Sequence, residues 1–332
     1  MTFEAIIKEL KQGVYQPIYL LHGAESYYIE EVSNYIEKNA LSDAEKGFNQ
    51  TIMYGKDTDP IQLLDVLRRY PMMAERQVVI LKEAQKTRGL EKLMGYFEKP
   101  LTSTIFVIAH KEKTLAKNTK VYKQLAKKGV VLESKKLYDN QVPGFIATAA
   151  KAKKLAIDQK STVLLAEFLG SDLSKINNEL NKLSLNLPEG SKVTPAIIEQ
   201  YIGVSKDYNI FELNRAICER NKEKAFRIVK YFIANPKANP PVLIMGGLYS
   251  FFSKVYPFMF LKNRNDSDLM STLKTYPMAI KDMRLFGNNY TLSQTENLIH
   301  TIAEYDLKVK GVNDNSSNKS ELFIEMVYKI MG

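Results

Sequence analysis

The sequence predicts an α/β domain built on a parallel sheet, followed by two all-α domains. Short β-rich runs alternate with helical patterns over the first 140 or so residues, and beyond Tyr138 the β signal fades while helical periodicity continues. A chain of 332 residues with 45% apolar residues can fill two or three hydrophobic cores. We therefore expect domains at residues 1–140, 141–208 and 209–332.

The β-rich runs of the first domain are short and apolar, which is typical of strands buried in a parallel sheet. The predicted strands are Ile18–Leu21, Gln50–Tyr54, Gln77–Leu81, Ile105–Ala109 and Val130–Leu132. Segments between them carry apolar residues at helical spacing: Ser26–Asn39, Pro60–Arg69 and Asn118–Lys127. This alternation predicts a sheet covered by helices.

Helix signals dominate the rest of the chain. Ser171 or Asp172 can cap a helix with an apolar stripe at Leu173, Ile176, Leu180 and Leu183, and Thr194-Pro195 is a second helix start. A further helical block begins at Asn209. The polar tract at residues 313–318 predicts a loop before the last helix.

The first strand of a nucleotide-hydrolysing α/β domain should be followed by a phosphate-binding loop. Here the segment after Leu21 has one glycine, Gly23, and lacks the Gly-Lys-Ser/Thr that would hold phosphate and magnesium. Glu25, Glu30 and Glu31 crowd the start of the next helix, where an anion would otherwise bind. We expect this turn to repel phosphate.

The third strand also lacks nucleotide-hydrolase chemistry. Lys82-Glu83 follows it where an aspartate should hold magnesium, and a lysine cannot do so. Glu83 alone is more typical of a surface carboxylate than of a catalytic base. We predict no catalytic residues and no cofactor.

Composition also excludes several other kinds of site. One cysteine, Cys218, excludes an internal disulfide and a multi-cysteine zinc module, and within its helical pattern it indicates an apolar filler. The three histidines lie far apart in the sequence, so no metal site is expected.

We find no signal-peptide pattern and no apolar run long enough to span a membrane, the most apolar stretch being Pro240 to Phe252. A cytoplasmic protein is expected.

The chain is basic, with a net charge of +10 and a pI near 9.2. This balance favours nucleic acid or another polyanion as a partner, yet it also fits a lysine-rich solvated surface. The lysines are densest between Lys111 and Lys136. Composition by itself leaves both interpretations open.

An unusual methionine pair follows the second predicted helix of the α/β domain. Pro71 should end that helix and leave Met72 and Met73 on a short turn before the strand. Methionine is flexible and polarizable, which suits it to filling a hydrophobic pocket on a partner. The alternative is that both side chains pack inside their own domain.

Four segments, in this order and spacing, resemble the delta subunit family of the bacterial DNA polymerase III clamp loader. They cover Ile18–Glu25, Pro71–Leu81, Gly170–Leu183 and Asn209–Ile217. The resemblance extends over essentially the whole chain. It implies an AAA+/RecA-like first domain without a functional phosphate loop, a small helical lid domain, and a helical collar domain that joins the subunits into a ring.

The resemblance also implies a function and partners. An apolar pair on this turn wedges into a hydrophobic pocket of the sliding clamp (the beta subunit), which assigns clamp binding to Tyr70, Pro71, Met72 and Met73. Many relatives have leucine and phenylalanine where this chain has Met72 and Met73. ATP bound by other loader subunits exposes the wedge, and the opened clamp then closes around primer-template DNA. Lys308 and Lys310 lie near a stretch that meets the primer end in some relatives, although a solvated helix face is the simpler interpretation.

Three other functions lead to different expectations. Another subunit of the same loader would usually carry a four-cysteine zinc module, which this chain lacks. A nucleotide hydrolase with a degenerate loop would turn over ATP when pure. A stand-alone basic nucleic-acid-binding module would bind DNA by itself, with a steep salt dependence, and would ignore the clamp.

Overall fold

The computed structural model describes residues 1–203, 208–237, 239–312 and 319–332. These residues form two compact units, Met1–Lys136 and Leu137–Gly332. The predicted loop at residues 313–318 lies outside the described residues. The division into three domains at residues 140 and 208 stays a prediction.

The first unit contains a five-stranded sheet with helices on both faces. Its elements are α1 (Phe3–Lys11), β1 (Ile18–Gly23), α2 (Ser26–Asn39), α3 (Asp43–Asn49), β2 (Gln50–Tyr54), α4 (Pro60–Leu67), β3 (Gln77–Lys82), α5 (Met94–Glu98), β4 (Thr104–His110), α6 (Lys120–Lys128) and β5 (Val130–Ser134). Short 3₁₀ turns lie at Ala84–Lys86 and Leu90–Leu93. The predicted strands are confirmed: β2 has the predicted bounds, and each of the other four strands is longer than predicted by one or two residues.

All neighbouring strands of this sheet run parallel, in the order β2-β3-β4-β1-β5. The central strands β1 and β4 are buried along their whole length, which explains their continuous apolar runs. Helices α1 and α2 pack on one face, with Ile6, Ile29 and Ile36 in the core, while α4, α5 and α6 cover the other. The predicted α/β fold class is confirmed.

The second unit is almost entirely helical. Its elements are α7 (Val142–Ala152), β6 (Ala156–Ile157), α8 (Gln159–Leu169), α9 (Leu173–Asn186), β7 (Lys192–Val193), α10 (Pro195–Ile202), α11 (Ile210–Cys218), α12 (Lys222–Ala234), α13 (Pro241–Leu261), α14 (Asp266–Leu273), α15 (Pro277–Asn289), α16 (Leu292–Val309) and α17 (Lys319–Met331). A 3₁₀ turn lies at Asp139–Gln141. The parallel pair β6–β7 was not predicted, because two residues are too few to show strand periodicity.

The predicted cap and stripe of α9 are confirmed. The Asp172 side chain accepts a hydrogen bond of 2.9 Å from the Lys175 backbone N–H, and the four stripe leucine and isoleucine residues are fully buried. Thr194 caps α10 in the same way, with Pro195 in the first turn. Local sequence therefore determines where both helices begin.

The expectation that no apolar run is long enough to span a membrane is wrong for helix α13. Its 21 residues are long and apolar enough to cross a membrane by length and composition, because the helix continues past Phe252 to Leu261. One such helix is weak evidence for a membrane span, since core helices pass the same test. Its inward side chains, including Met245, Leu248 and Phe258, are buried in the hydrophobic core of α11 to α17.

Candidate functional site

The most exposed apolar side chain of the first unit, that of Met73, lies on the turn between α4 and β3. Met72 is 61% exposed and Met73 is fully exposed, at 102% of its reference area. Tyr70 is also exposed, whereas Pro71 is partly buried. The interpretation that both methionines pack inside their own domain is therefore wrong.

Two buried side chains, those of Gln77 and Thr104, donate hydrogen bonds to carbonyl groups at and just after the end of α4. The Gln77 side-chain amide donates hydrogen bonds to the carbonyl oxygens of Arg69, at 2.6 Å, and Val66, at 3.3 Å. It also donates to the Thr104 hydroxyl oxygen at 2.9 Å, and that hydroxyl donates to the Leu67 carbonyl at 3.4 Å. These bonds satisfy carbonyl groups that a helix end leaves without intrahelical partners. They fix the base of the turn against the sheet.

Asn49 holds the middle of the turn. Its side chain, 4% exposed, accepts a hydrogen bond of 2.7 Å from the Met72 backbone N–H and donates one of 2.9 Å to the Met72 carbonyl. The same amide group donates to the Glu45 carbonyl within α3, at 3.2 Å. Sequence reasoning missed Asn49, because its partner lies 23 residues away and no local pattern marks it.

Met73 has a left-handed backbone conformation, with φ of 52°. For a residue other than glycine this conformation costs on the order of 1–2 kcal/mol. The neighbouring contacts of Asn49 with Met72, and of Gln77 with the end of α4, fix the chain on both sides of it. The methionine pair is thus presented on a defined turn rather than on a loose loop.

The turn after β1, where a phosphate loop would lie, is closed against β5. The Ser134 hydroxyl donates a hydrogen bond of 2.6 Å to the Glu25 carbonyl, and the Glu25 N–H donates one of 3.3 Å to the Ser134 carbonyl. Gly23 has φ of 142°, and a Cβ atom there would lie 1.9 Å from the Ser134 carbonyl oxygen. Backbone therefore fills the space beside this turn.

Glu25 also occupies the N-terminus of α2. Its carboxylate accepts a hydrogen bond of 3.0 Å from the Tyr27 backbone N–H, in the position where a bound phosphate would accept it. Glu30, one turn further, pairs with Lys111. The helix N-terminus already carries negative charge from its own chain, which disfavours a second anion.

Lys82 and Glu83, at the end of β3, are each engaged in an ion pair within the chain. The Lys82 ammonium lies 2.8 Å from the Glu37 carboxylate, and Glu83 lies 2.6 Å from Lys86. The hydrogen bond from Lys86 lowers the pKa of Glu83 below its ordinary value. An ion-paired carboxylate with a lowered pKa is a weak proton acceptor. This fits a surface ion pair and does not fit a catalytic base.

The sequence predicts no metal site at the histidines and a buried apolar role for Cys218. His22 and His110, distant in sequence, are register partners on the neighbouring strands β1 and β4. Burial lowers the pKa of His22, whose Nδ1 accepts a hydrogen bond from the Leu115 N–H at 3.2 Å. Cys218 is fully buried, and that burial raises the pKa of its thiol. Within the residues described, no group of three or more His, Cys, Asp or Glu side chains could hold a metal ion.

The chain matches two sequence models of one protein family. A sequence model described as DNA polymerase III, delta subunit matches residues 19–135, which include the α4–β3 turn. A second, described as the C-terminal domain of the same subunit, matches residues 207–327. Together they cover well over half of the chain.

The chain belongs to the DNA polymerase III delta subunit family. Among curated relatives of this delta subunit, DNA polymerase III subunit delta of Bacillus subtilis is 24% identical over 342 aligned residues, covering 99% of this chain and 97% of the relative. The probable DNA polymerase III subunit delta of Aquifex aeolicus is 20% identical, covering 88% of this chain and 82% of the relative. The recognition made from the four sequence segments is confirmed.

A solved structure agrees with this delta subunit in fold. The Bacillus subtilis DNA clamp loader delta protein superposes with a TM-score of 0.63 at 22% identity, and the match covers 99% of both chains. At this identity the likeness shows the fold. It supports the α/β and helical architecture described above.

Lys308 and Lys310, the two lysines predicted to contact DNA, lie at the end of α16 in this delta subunit. The Lys308 ammonium is 2.7 Å from the Glu304 carboxylate, and the Lys310 ammonium is 2.6 Å from Asp306. Each positive charge is thus offset by a carboxylate one helical turn away. DNA contact at these lysines stays a prediction.

The lysine-dense segment forms part of the solvent-exposed surface of the first unit. Eight of its lysines are exposed: Lys113, Lys117, Lys120, Lys123, Lys127, Lys128, Lys135 and Lys136. Lys117 and Lys135 share the Glu133 carboxylate, at 2.7 and 3.7 Å. The segment retains a net positive charge that suits a polyanion at low salt.

Proposed function

We propose that this delta subunit binds the sliding clamp through Tyr70, Pro71, Met72 and Met73 and opens it for loading onto primed DNA. The exposed methionine pair on the α4–β3 turn is the observation that carries the proposal. Apolar side chains that are mostly exposed, yet are held on a fixed turn, are suited to a partner's hydrophobic pocket.

The energy available from such a wedge is considerable. Burying each methionine side chain against a partner contributes about 1.5–3 kcal/mol. Because Asn49 and Gln77 already order the turn, little additional entropy is lost when it docks. The methionine pair can thus supply several kcal/mol to one conformation of the partner.

Clamp opening is then a shift in population rather than a chemical step. A wedge that fits only the open clamp interface favours that state by its difference in affinity between the two states. Moving an equilibrium from 1:99 to 99:1 requires about 5.5 kcal/mol of differential binding. Two buried methionines and their neighbours can supply much of this amount.

The proposal includes no ATP hydrolysis by this subunit, with ATP instead bound by other loader subunits. Support comes from the closed β1–α2 turn, from the Glu25 carboxylate at the N-terminus of α2, and from the pairing of Lys82 with Glu37. A phosphate placed at this turn would meet a carboxylate rather than free amides.

The proposed assembly with the other loader subunits uses the C-terminal collar. Support comes from an exposed apolar face on α13, away from its buried side: Val242, Leu243, Tyr249, Tyr256 and Phe260. A face of this composition suits a helix-to-helix interface.

Within the assembled loader, the lysine-dense segment between Lys111 and Lys136 would lie against primer-template DNA. The loader would act in the cytoplasm.

The deciding experiment measures binding of the purified chain to its cognate sliding clamp, for the wild type and for Met72→Ala/Met73→Ala. We expect the double variant to bind at least roughly 30-fold more weakly, from a loss of about 2 kcal/mol. Leu185→Ala is the matched control, because Leu185 is 86% exposed and lies in the second unit. Thermal unfolding establishes that all three proteins fold.

Each alternative function gives a different result. A wild type that ignores the clamp but binds DNA alone, with a steep salt dependence, would indicate a nucleic-acid-binding module. ATP turnover by the pure protein would indicate a hydrolase. Clamp binding that survives in the folded double variant would refute the assignment of the wedge to Met72 and Met73.

A further inference from the structure

Phe48 is an exposed aromatic residue of the first unit that lies outside the methionine turn. It is the next-to-last residue of α3 and is 76% exposed, while its neighbour Asn49 is buried. A single exposed aromatic residue is common on protein surfaces and needs no explanation by itself. What distinguishes Phe48 is the structure that connects it to the methionine turn.

Helix α3 is held firmly although it has only seven residues. Ser42 and Glu45 form a capping box, in which the Ser42 N–H donates a hydrogen bond of 2.8 Å to the Glu45 carboxylate. The Lys46 ammonium pairs with Asp43 at 2.7 Å. The helix therefore presents Phe48 from a fixed backbone, with the adjacent charges of Asp43 and Lys46 already neutralising each other.

The end of α3 and the methionine turn lie at the same edge of the sheet. Strands β2 and β3 are parallel neighbours, with Gln50 opposite Val78, so the segments that enter them lie side by side. The two hydrogen bonds between Asn49 and Met72 join these segments directly. Because consecutive Cα atoms are about 3.8 Å apart, the Phe48 backbone lies within one residue of this junction.

We propose that Phe48 is a further apolar contact residue of the clamp-binding surface, in addition to Tyr70, Pro71, Met72 and Met73. This inference rests on the proposed function and extends it to a second segment of the chain. The occupant is the same sliding clamp, because the two hydrogen bonds between Asn49 and Met72 hold the end of α3, which carries Phe48, directly beside the methionine turn. It predicts that the clamp presents apolar surface beyond the pocket that receives the methionines.

The chemistry of the three side chains is complementary. Methionine adapts its shape to a pocket, whereas phenylalanine offers a large rigid surface with only two side-chain torsions to immobilise. Aromatic residues are enriched among the side chains that dominate binding at protein interfaces. The clamp would therefore be contacted by two segments of the chain, the methionine turn and the end of α3. The Asn49 hydrogen bonds fix the spacing between these segments.

The test measures clamp binding by the full chain for the wild type, Phe48→Ala, Phe48→Leu, Met72→Ala/Met73→Ala and the control Tyr54→Ala. Tyr54 is an exposed aromatic residue at the far end of β2 from α3, about 16 Å along the strand. We expect Phe48→Ala to bind about tenfold more weakly, equivalent to about 1.4 kcal/mol. Phe48→Leu should recover part of this loss, and Tyr54→Ala should match the wild type.

The outcomes separate this inference from the proposed function. If the methionine variant loses binding while folded Phe48→Ala binds as the wild type does, the role of Phe48 is refuted and the methionine wedge stands. If the wild type does not bind the clamp, both proposals fail. A Tyr54→Ala loss equal to that of Phe48→Ala would also overturn the inference, because the effect would not be local.

Discussion

Asn49→Ala should loosen the methionine turn without disturbing the sheet. The substitution removes the hydrogen bonds of 2.7 and 2.9 Å that join the Asn49 side chain to the Met72 backbone. It also removes the bond of 3.2 Å to the Glu45 carbonyl. The hydrophobic clusters on the two faces of the sheet do not include Asn49 and should persist.

The magnitude follows from the two bonds to Met72. Each contributes about 0.5–1.5 kcal/mol net, so their loss should cost about 1–3 kcal/mol. Expressed as a local opening equilibrium, this is roughly a 5- to 150-fold increase. Clamp binding should weaken as well, because a disordered turn has to be ordered again on docking.

Hydrogen exchange measured by mass spectrometry on a peptide spanning residues 69–77 reports this opening directly, because the Met72 N–H is one of the lost donors. Asn39→Ala is the matched control, since Asn39 ends α2 with a hydrogen bond of 2.8 Å to the Tyr35 carbonyl and has no bond to the turn. We expect faster exchange in this peptide for Asn49→Ala and no change for Asn39→Ala.

Asn49→Asp provides a second signature. An ionised aspartate can still accept from the Met72 N–H but repels the Met72 carbonyl oxygen, so burial and this repulsion should raise its pKa in the folded state. The variant should therefore be less stable at pH 7 and regain stability as the pH falls and the carboxyl is protonated. Unchanged exchange in Asn49→Ala, or an Asn49→Asp variant as stable as the wild type at pH 7, would refute the reasoning.

Two further predictions concern other parts of the chain. Gly23→Ala should destabilise the first unit by at least about 2 kcal/mol, because the residue has a φ of 142° and the new Cβ atom would lie 1.9 Å from the Ser134 carbonyl oxygen. Urea unfolding measures this loss of stability, and an unchanged stability would contradict the closed turn. Burial raises the pKa of Asp282 in α15 to about 6 from 3.8, so the folded state binds the carboxyl proton more tightly than the unfolded chain does. The free energy of unfolding therefore falls as the pH rises between these two values. Asp282→Asn should therefore stabilise the second unit by about 1–2 kcal/mol at pH 7, allowing for solvent screening, with no gain below pH 4 in thermal unfolding scans.

The sequence predicted the architecture of the first unit well, because its signals are local. Buried parallel strands appear as apolar runs, and the five predicted runs correspond to β1 to β5. Capping residues such as Asp172 and Thr194 mark helix starts within a few positions. The missing phosphate loop was equally visible, since Gly23 to Glu25 are consecutive residues.

Other features depended on contacts between distant segments. The sequence left open whether Met72 and Met73 point inward, because a turn's exposure depends on the packing around it. The β6–β7 pair and the meeting of His22 with His110 are set by strand pairing. The full length of α13 was underestimated, because the apolar stretch visible in the sequence ends at Phe252, whereas the helix continues to Leu261 within the core that it shares with its neighbouring helices.

The sequence alone determined the family, the parallel α/β fold and the position of the methionine pair, because motif order, apolar runs and helix caps are properties of neighbouring residues. Only the tertiary structure decided that the pair is exposed, that Asn49 holds it, and that the end of α3, which carries the exposed Phe48, is joined to the methionine turn. Side-chain hydrogen bonds across 23 residues leave no periodic trace in a sequence. They form when parallel strands bring the segments that precede them to one edge of the sheet.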